Sequence, residues 1–172
     1  MKNIILKYGI ISGSVIIISA IITIVLIGNS GEYSFAEWLG YLIMIVALSM
    51  IFIGIKDYKN KNNGIIDFKT AFKVGIGISI VATLLYIVGW EIYFSINGEQ
   101  FIVDYSDKAF KDLSMTDMSK ADIETAKNEF LMNMEMYREL PYRVTITFVE
   151  IFPIALLITL ISSFILKTKL KN

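Results

Sequence analysis

Four long apolar runs, Ile4 to Ile27, Phe35 to Ile55, Phe72 to Ile96 and Val144 to Leu166, occupy more than half of this sequence. Each contains the roughly 20 residues that a helix needs to cross a bilayer. Hydrocarbon cannot satisfy backbone N–H and C=O groups, so only helices and closed barrels cross it, and runs this long are helices. The sequence therefore predicts an all-α membrane protein of four transmembrane helices, a single membrane domain over 1–172 with the lipid bilayer as its first partner. Composition agrees, with 55% hydrophobic and 19% charged residues, far from the balance of a soluble domain. The first run follows Lys2 and Lys7 as a signal peptide would. Its core from Gly9 to Ile27 is too long for a signal h-region and ends in no good small-x-small site, so it reads as a retained anchor.

The charges assign the sides. Lys2 and Lys7, then Lys56, Lys59, Lys61, Lys69 and Lys73, then Lys167, Lys169 and Lys171 fall at one set of ends, against Asp57 and Asp67 alone. By the positive-inside rule these ends are cytoplasmic, as are both termini. The opposite side carries Glu32 and Glu37 at a short turn, and a long segment of mixed charge over 97–141. In a bacterial inner membrane that segment is periplasmic.

The 97–141 insert reads as two helices, because its apolar residues keep helical spacing within a charged stretch. Ile102, Ala109 and Leu113 mark the first; Ile123, Ala126, Phe130, Met134 and Tyr137 mark the second. Ser119 and Asp122 stand at capping-box spacing, and Pro141 is the expected stop. Two antiparallel helices would then cover each other as an extracytoplasmic hairpin between the third and fourth spans. Asn97-Gly98 is the expected break above the third span. Met132, Met134 and Met136 alternate, which scatters them around a helix rather than gathering thioethers for copper, so they read as flexible filler.

Small residues recur along the spans at seam spacing: Gly9 and Gly13 in the first, Gly40, Ala47 and Gly54 in the second, Gly75, Ser79, Ala82 and Gly89 in the third. The fourth adds Ala155, Thr159 and Ser162. Small side chains let backbones approach where lipid supplies no hydrophobic drive, which marks these as packing faces of a left-handed bundle. Packing of the monomer is the reading preferred over dimerisation.

Two carboxylates interrupt the apolar runs, Glu91 in the third and Glu150 in the fourth. A charge at the bilayer centre costs roughly 2.5 to 3.5 kcal/mol, so an intramembrane carboxylate calls for a partner. Arg143, Thr147 and Glu150 follow one another at steps of four and three, and Pro153 lies three residues beyond, where it removes the hydrogen bond to the Val149 carbonyl. Three readings stay open: a Glu91–Arg143–Glu150 network that fixes helix register, a surface for a partner, and an ion or proton site.

Histidine and cysteine are both absent. That removes disulfides, Cys/His zinc sites, haem ligation by His and every Cys- or His-based catalytic arrangement. No metal, no other cofactor and no nucleic-acid partner is expected, and no catalytic motif is recognisable, so the chain reads as a non-enzyme. The preferred function is an accessory or scaffold subunit that binds another membrane or periplasmic protein, or itself as a homo-oligomer. The rival is a small ion- or proton-coupled transporter unit using Glu150.

The runs Gly54-Ile55-Lys56-Asp57-Tyr58, Phe68-Lys69-Thr70-Ala71-Phe72-Lys73-Val74-Gly75 and Ile146-Thr147-Phe148-Val149-Glu150-Ile151-Phe152-Pro153, followed by Leu160-Ile161-Ser162-Ser163, carry a family resemblance. The sequence resembles the domain-of-unknown-function 4199 family of Bacteroidota membrane proteins over nearly its whole length, polar insert included. The resemblance implies an inner-membrane protein of this size and brings no activity and no catalytic residues.

Because the chain has no native cysteine, single introduced thiols report its orientation. Lys111→Cys and Ser119→Cys should react with a membrane-impermeant maleimide once the outer membrane is permeabilised, while Asn62→Cys and Asn172→Cys should stay unlabelled. The opposite pattern would reverse the orientation.

Overall fold

The computed structural model describes residues 1–27 and 33–168, with side chains for 1–24 and 38–168. Glu32, Lys169 and Lys171, and the side chain of Glu37, lie outside this range. The described residues form six helices and no strand: α1 Lys2–Ile27, α2 Tyr33–Leu48, α3 Met50–Lys61, α4 Phe68–Ser114, α5 Lys120–Arg138 and α6 Leu140–Leu166. Four segments are long and apolar enough to cross a membrane, Lys2–Ile24, Trp38–Lys61, Phe68–Ser114 and Leu140–Leu166. The second joins α2 to α3 through Ser49, whose hydroxyl donates to the Val46 carbonyl at 2.6 Å while its N–H bonds Ile45 O at 3.0 Å. The helical ladder thus continues through this local turn.

Several sequence expectations change at helix ends. Asn97-Gly98 does not break α4, which runs unbroken for 47 residues. Neither residue clashes with a helical path, and a glycine inside a long helix costs only about 1 kcal/mol against alanine. Pro141 does not so much end α5 as open α6, which starts at Leu140. There proline's missing N–H is one that a first turn leaves unpaired anyway. Pro153 lies inside α6 without ending it. The chain reverses after α3 through Asn63 and Gly64, at φ 54° and 75°. Gly64 N–H bonds Lys59 O at 3.0 Å, the six-to-one bond of a Schellman end, and the left-handed backbone there is what glycine permits.

The chain divides into two compact units, one of residues 1–90 and 148–172 and one of 91–147. In the first, fully buried Leu48, Ile51, Ile55, Val74, Ile78 and Ile151 form the core. Small residues set the spacing of its helices. A Cβ on Gly9 would lie 2.6 Å from Val81, on Gly13 2.8 Å from the Ala82 carbonyl oxygen, and on Gly89 2.5 Å from Ile17. These partners ascend together, so α1 and α4 run parallel. Gly54 faces Tyr8 and Ile78, and Gly75 faces Thr159 and Ile55, with a Cβ there only 2.7 Å from the Thr159 methyl. Both α3 and α6 are therefore antiparallel to α4. The starts of α1 and α4 and the ends of α3 and α6 share one end of this unit.

Hydroxyls line the same contacts. Ser12 donates to Ala47 O at 2.8 Å, Ser79 and Thr159 share a 2.8 Å hydrogen bond, and Ser163 donates to Thr159 O at 2.6 Å. All of these hydroxyls are buried. Gly40 departs from the expectation, because among the described residues a Cβ there would meet nothing within 4 Å.

The second unit holds the later part of α4, α5 and the start of α6. Ring contacts pair Phe94 with Tyr137 at 5.6 Å, Tyr105 with Phe130 at 5.8 Å and Phe110 with Phe130 at 5.8 Å. Numbers rise along α4 as they fall along α5, so these two helices are antiparallel. Ile123, Ala126, Phe130, Met134 and Tyr137 share the half-buried side of α5, and no residue of that helix is fully buried. Ser119 caps it by accepting from Asp122 N–H at 3.2 Å and donating to the Asp122 carboxylate at 2.7 Å.

The glycine contacts give a paired prediction. Gly13→Leu should destabilise the chain by roughly 1 to 3 kcal/mol, since the backbone at Ala82 cannot step aside. Gly40→Ala should be neutral or stabilise by up to about 1 kcal/mol through helix propensity. Thermal unfolding in detergent would measure both, and an equal loss for the two would refute the assigned seam.

Candidate functional site

Arg143 sits in the first turns of α6 with a side chain only 8% exposed. A guanidinium has five N–H donors in a rigid fork. Here Nε donates to Glu91 Oε1 and Oε2 at 2.9 and 3.1 Å, and Nη2 donates to Glu91 Oε2 at 2.6 Å. Nη1 donates to the carbonyls of Tyr137 and Arg138 at 3.0 and 2.9 Å. Those are among the last carbonyls of α5, which lack helical partners and carry the negative end of its dipole. The plane of the guanidinium lies over Phe94, 4.0 Å from the ring centroid. Thr147, also buried, donates to the Arg143 carbonyl at 2.9 Å.

One side chain thus joins α4, α5 and α6. The Glu91 pairing follows from a carboxylate and an arginine facing each other across neighbouring helices, where each offsets the other's loss of water. Phe94, three residues after Glu91, belongs to the same helix face. That spacing is visible in the sequence, whereas the two carbonyl acceptors depend on where α5 stops and leave no sequence signal. Farther out on the same unit, Arg138 pairs with Glu99 and, at 3.2 Å, with Glu135. The Glu99 carboxylate holds the Arg138 guanidinium above its ordinary value.

Glu150 is placed differently. Its side chain is exposed on α6 and has no hydrogen bond or ion pair among the described residues. The expected three-membered network is therefore a Glu91–Arg143 pair, and Glu150 stands outside it. Four of the five N–H donors of Arg143 go to Glu91 and to the end of α5, which directs the fork to those two helices. Pro153 is likewise exposed, and around it on the same side Ile146, Val149, Leu157 and Ile161 are 42 to 58% exposed. Glu150 is thus a lone carboxylate on an apolar helix face.

The sequence profile described as Protein of unknown function (DUF4199) matches residues 7–168. The chain belongs to this family. No curated protein and no solved structure matches it. In this DUF4199 protein Glu91, Arg143 and Glu150 are the side chains most demanding to place in an apolar setting.

Replacing one member of the buried pair should cost more than replacing both. Arg143→Gln should destabilise the 91–147 unit by about 3 kcal/mol, since it strands Glu91 and two carbonyls. Glu91→Gln/Arg143→Gln should recover part of that loss, and Arg143→Lys should not rescue it, because an ammonium cannot serve both the carboxylate and the α5 end. Protease resistance of residues 91–147 across this cycle is the measurement, and strictly additive losses would argue that the pair is not coupled.

Proposed function

We propose that the chain is a non-enzymatic accessory or scaffold subunit of the bacterial inner membrane that binds another envelope protein. In this reading both termini are cytoplasmic, and 97–141 is a periplasmic helical hairpin. The lysine-rich end of the first unit supports that orientation through the positive-inside rule. Glu150 carries the proposal. A carboxylate within a span has a desolvation cost of up to roughly 2.5 to 3.5 kcal/mol at the centre of the bilayer. Glu91 meets that cost inside the chain, with Arg143. Glu150 has no such partner among the described residues and looks outward from an apolar face. A donor from another protein would complete it. On the second unit, Tyr105, Leu131 and Met136, 41 to 49% exposed, offer a partner apolar surface of their own.

Affinity purification from native membranes in mild detergent tests this, comparing the natural chain with Glu150→Gln. The natural chain should carry one membrane protein in stoichiometric amount. The variant should retain it at least about tenfold less well, since a hydrogen bond to a charged group contributes about 1.5 to 3 kcal/mol. Equal recovery from both would remove Glu150 from the interface. A pH- or ion-dependent change in the purified chain that Glu150→Gln abolishes would instead favour the transporter unit.

A further inference from the structure

An apolar groove of about 340 Å³ opens between the start of α4 and the end of α6, lined by Phe68, Leu160, Ile161, Phe164 and Ile165. That volume is at the lower end of small-molecule sites, roughly 300 to 1,000 Å³. Its walls are fixed by contacts along its edge. Thr168 N–H donates to Ile66 O at 2.8 Å, Ile66 N–H returns a 3.0 Å bond to the Thr168 hydroxyl, and Lys59 Nζ donates to Leu166 O at 2.9 Å. Phe72 stacks on Phe68 with ring centroids 6.2 Å apart. The groove is therefore held open by its surroundings while its own five side chains stay 40 to 65% exposed.

Its mouth is cationic. Lys167 Nζ lies 4.1 Å from the centroid of the Phe164 ring, so a lysine rests on one wall. Lys56, Lys59, Lys61, Lys69 and Lys73 belong to the same end of the unit, against two carboxylates. Both carboxylates are engaged. Asp57 accepts from Lys61 at 3.0 Å and from Tyr8 at 3.4 Å. Asp67 caps α4, accepting from Thr70 N–H at 3.0 Å and from the Thr70 hydroxyl at 2.6 Å, and these bonds hold its carboxyl below the ordinary carboxylate range. Lys59 and Lys61 are spent on Leu166 O and Asp57, whereas among the described residues Lys167 has only a ring beneath it. An ammonium on an aromatic face can stay there and still present donors to an anion.

We propose that this groove binds a single anionic phospholipid, with an acyl chain along Phe68, Ile161 and Phe164 and the headgroup phosphate at Lys167. Charge complementarity selects this occupant. An acyl chain matches the apolar walls, a phosphate matches the lysine at the mouth, and a headgroup lacking its own cation avoids repulsion from the lysines around it. The site is separate from Glu150 and does not depend on which end of the unit faces the cytoplasm.

Native mass spectrometry of the full chain, released from membranes containing equal phosphatidylglycerol and phosphatidylethanolamine, tests the proposal. The natural chain should retain phosphatidylglycerol preferentially. Lys167→Gln should reduce that preference about fivefold, the effect of one basic residue near an anionic lipid. Ile161→Trp, which fills the groove, should abolish retention, while Lys61→Gln, whose lysine is already paired, should leave the preference nearly unchanged. Equal retention of the two lipids by the natural chain would overturn the proposal, as would full retention by Ile161→Trp. An equal effect of Lys61→Gln and Lys167→Gln would also overturn it, because it would show a diffuse field rather than a site.

Discussion

Hydrocarbon gives one apolar helix no reward for meeting another, so helices in it are held by how closely they can approach. In this chain that closeness is set at a few places where the side chain is a hydrogen or a single small group. Gly9 and Gly13 admit Val81 and the Ala82 backbone, and Gly75 admits Thr159. Dispersion contacts that are individually weak then add up along the seam. The Ser79–Thr159 hydroxyl pair bridges α4 and α6 in an apolar interior, and the Ser79 hydroxyl also meets the Gly75 carbonyl at 3.0 Å. Everything else in the first unit, including the groove at its lysine-rich end, depends on this spacing.

The second unit is organised by a different kind of interaction. Its helices pack around rings that remain half-buried, which gives little hydrophobic burial for so many residues. The Arg143 guanidinium supplies the specificity that burial does not, because its planar donors accept only one relative placement of Glu91 and the α5 end. A buried ion pair of this kind is weak as a source of net stability and strong as a source of register. The contrast with Glu150 follows directly. Two glutamates of the same sequence class end in opposite situations because the arginine fork is turned to Glu91 and the α5 end.

Much of this was legible in the sequence. The four apolar runs, the seam positions Gly9, Gly13, Gly54, Gly75 and Ser79, the half-buried side of α5 and its Ser119 cap all follow from periodicity and short-range chemistry. Positions that depend on a partner across space were not. Gly40 has the right spacing and no neighbour within 4 Å of a Cβ among the described residues. Asn97-Gly98 has the composition of a turn, yet both residues are tolerated inside α4. Glu150 aligns with Arg143 along α6, but alignment on one helix says nothing of the donors that Arg143 gives to α4 and α5. The lysines gathered at one end were readable as charge, while the groove beside Lys167 needed the pairing of Ile66 with Thr168 that only the folded chain supplies.

Arg143 also carries information about order of assembly. Its bonds to the Tyr137 and Arg138 carbonyls close loops of six and five residues, whereas its bonds to Glu91 close one of 52. Loop-closure entropy makes short loops the cheap ones, and contacts of short sequence separation form first. The corner between α5 and α6 can therefore set as soon as both helices exist, with Nη1 already committed and the Nε–Nη2 edge held in a fixed direction. Glu91 then docks onto a prepared fork instead of a free side chain, so the long-range step immobilises one flexible partner where it would otherwise have to immobilise two.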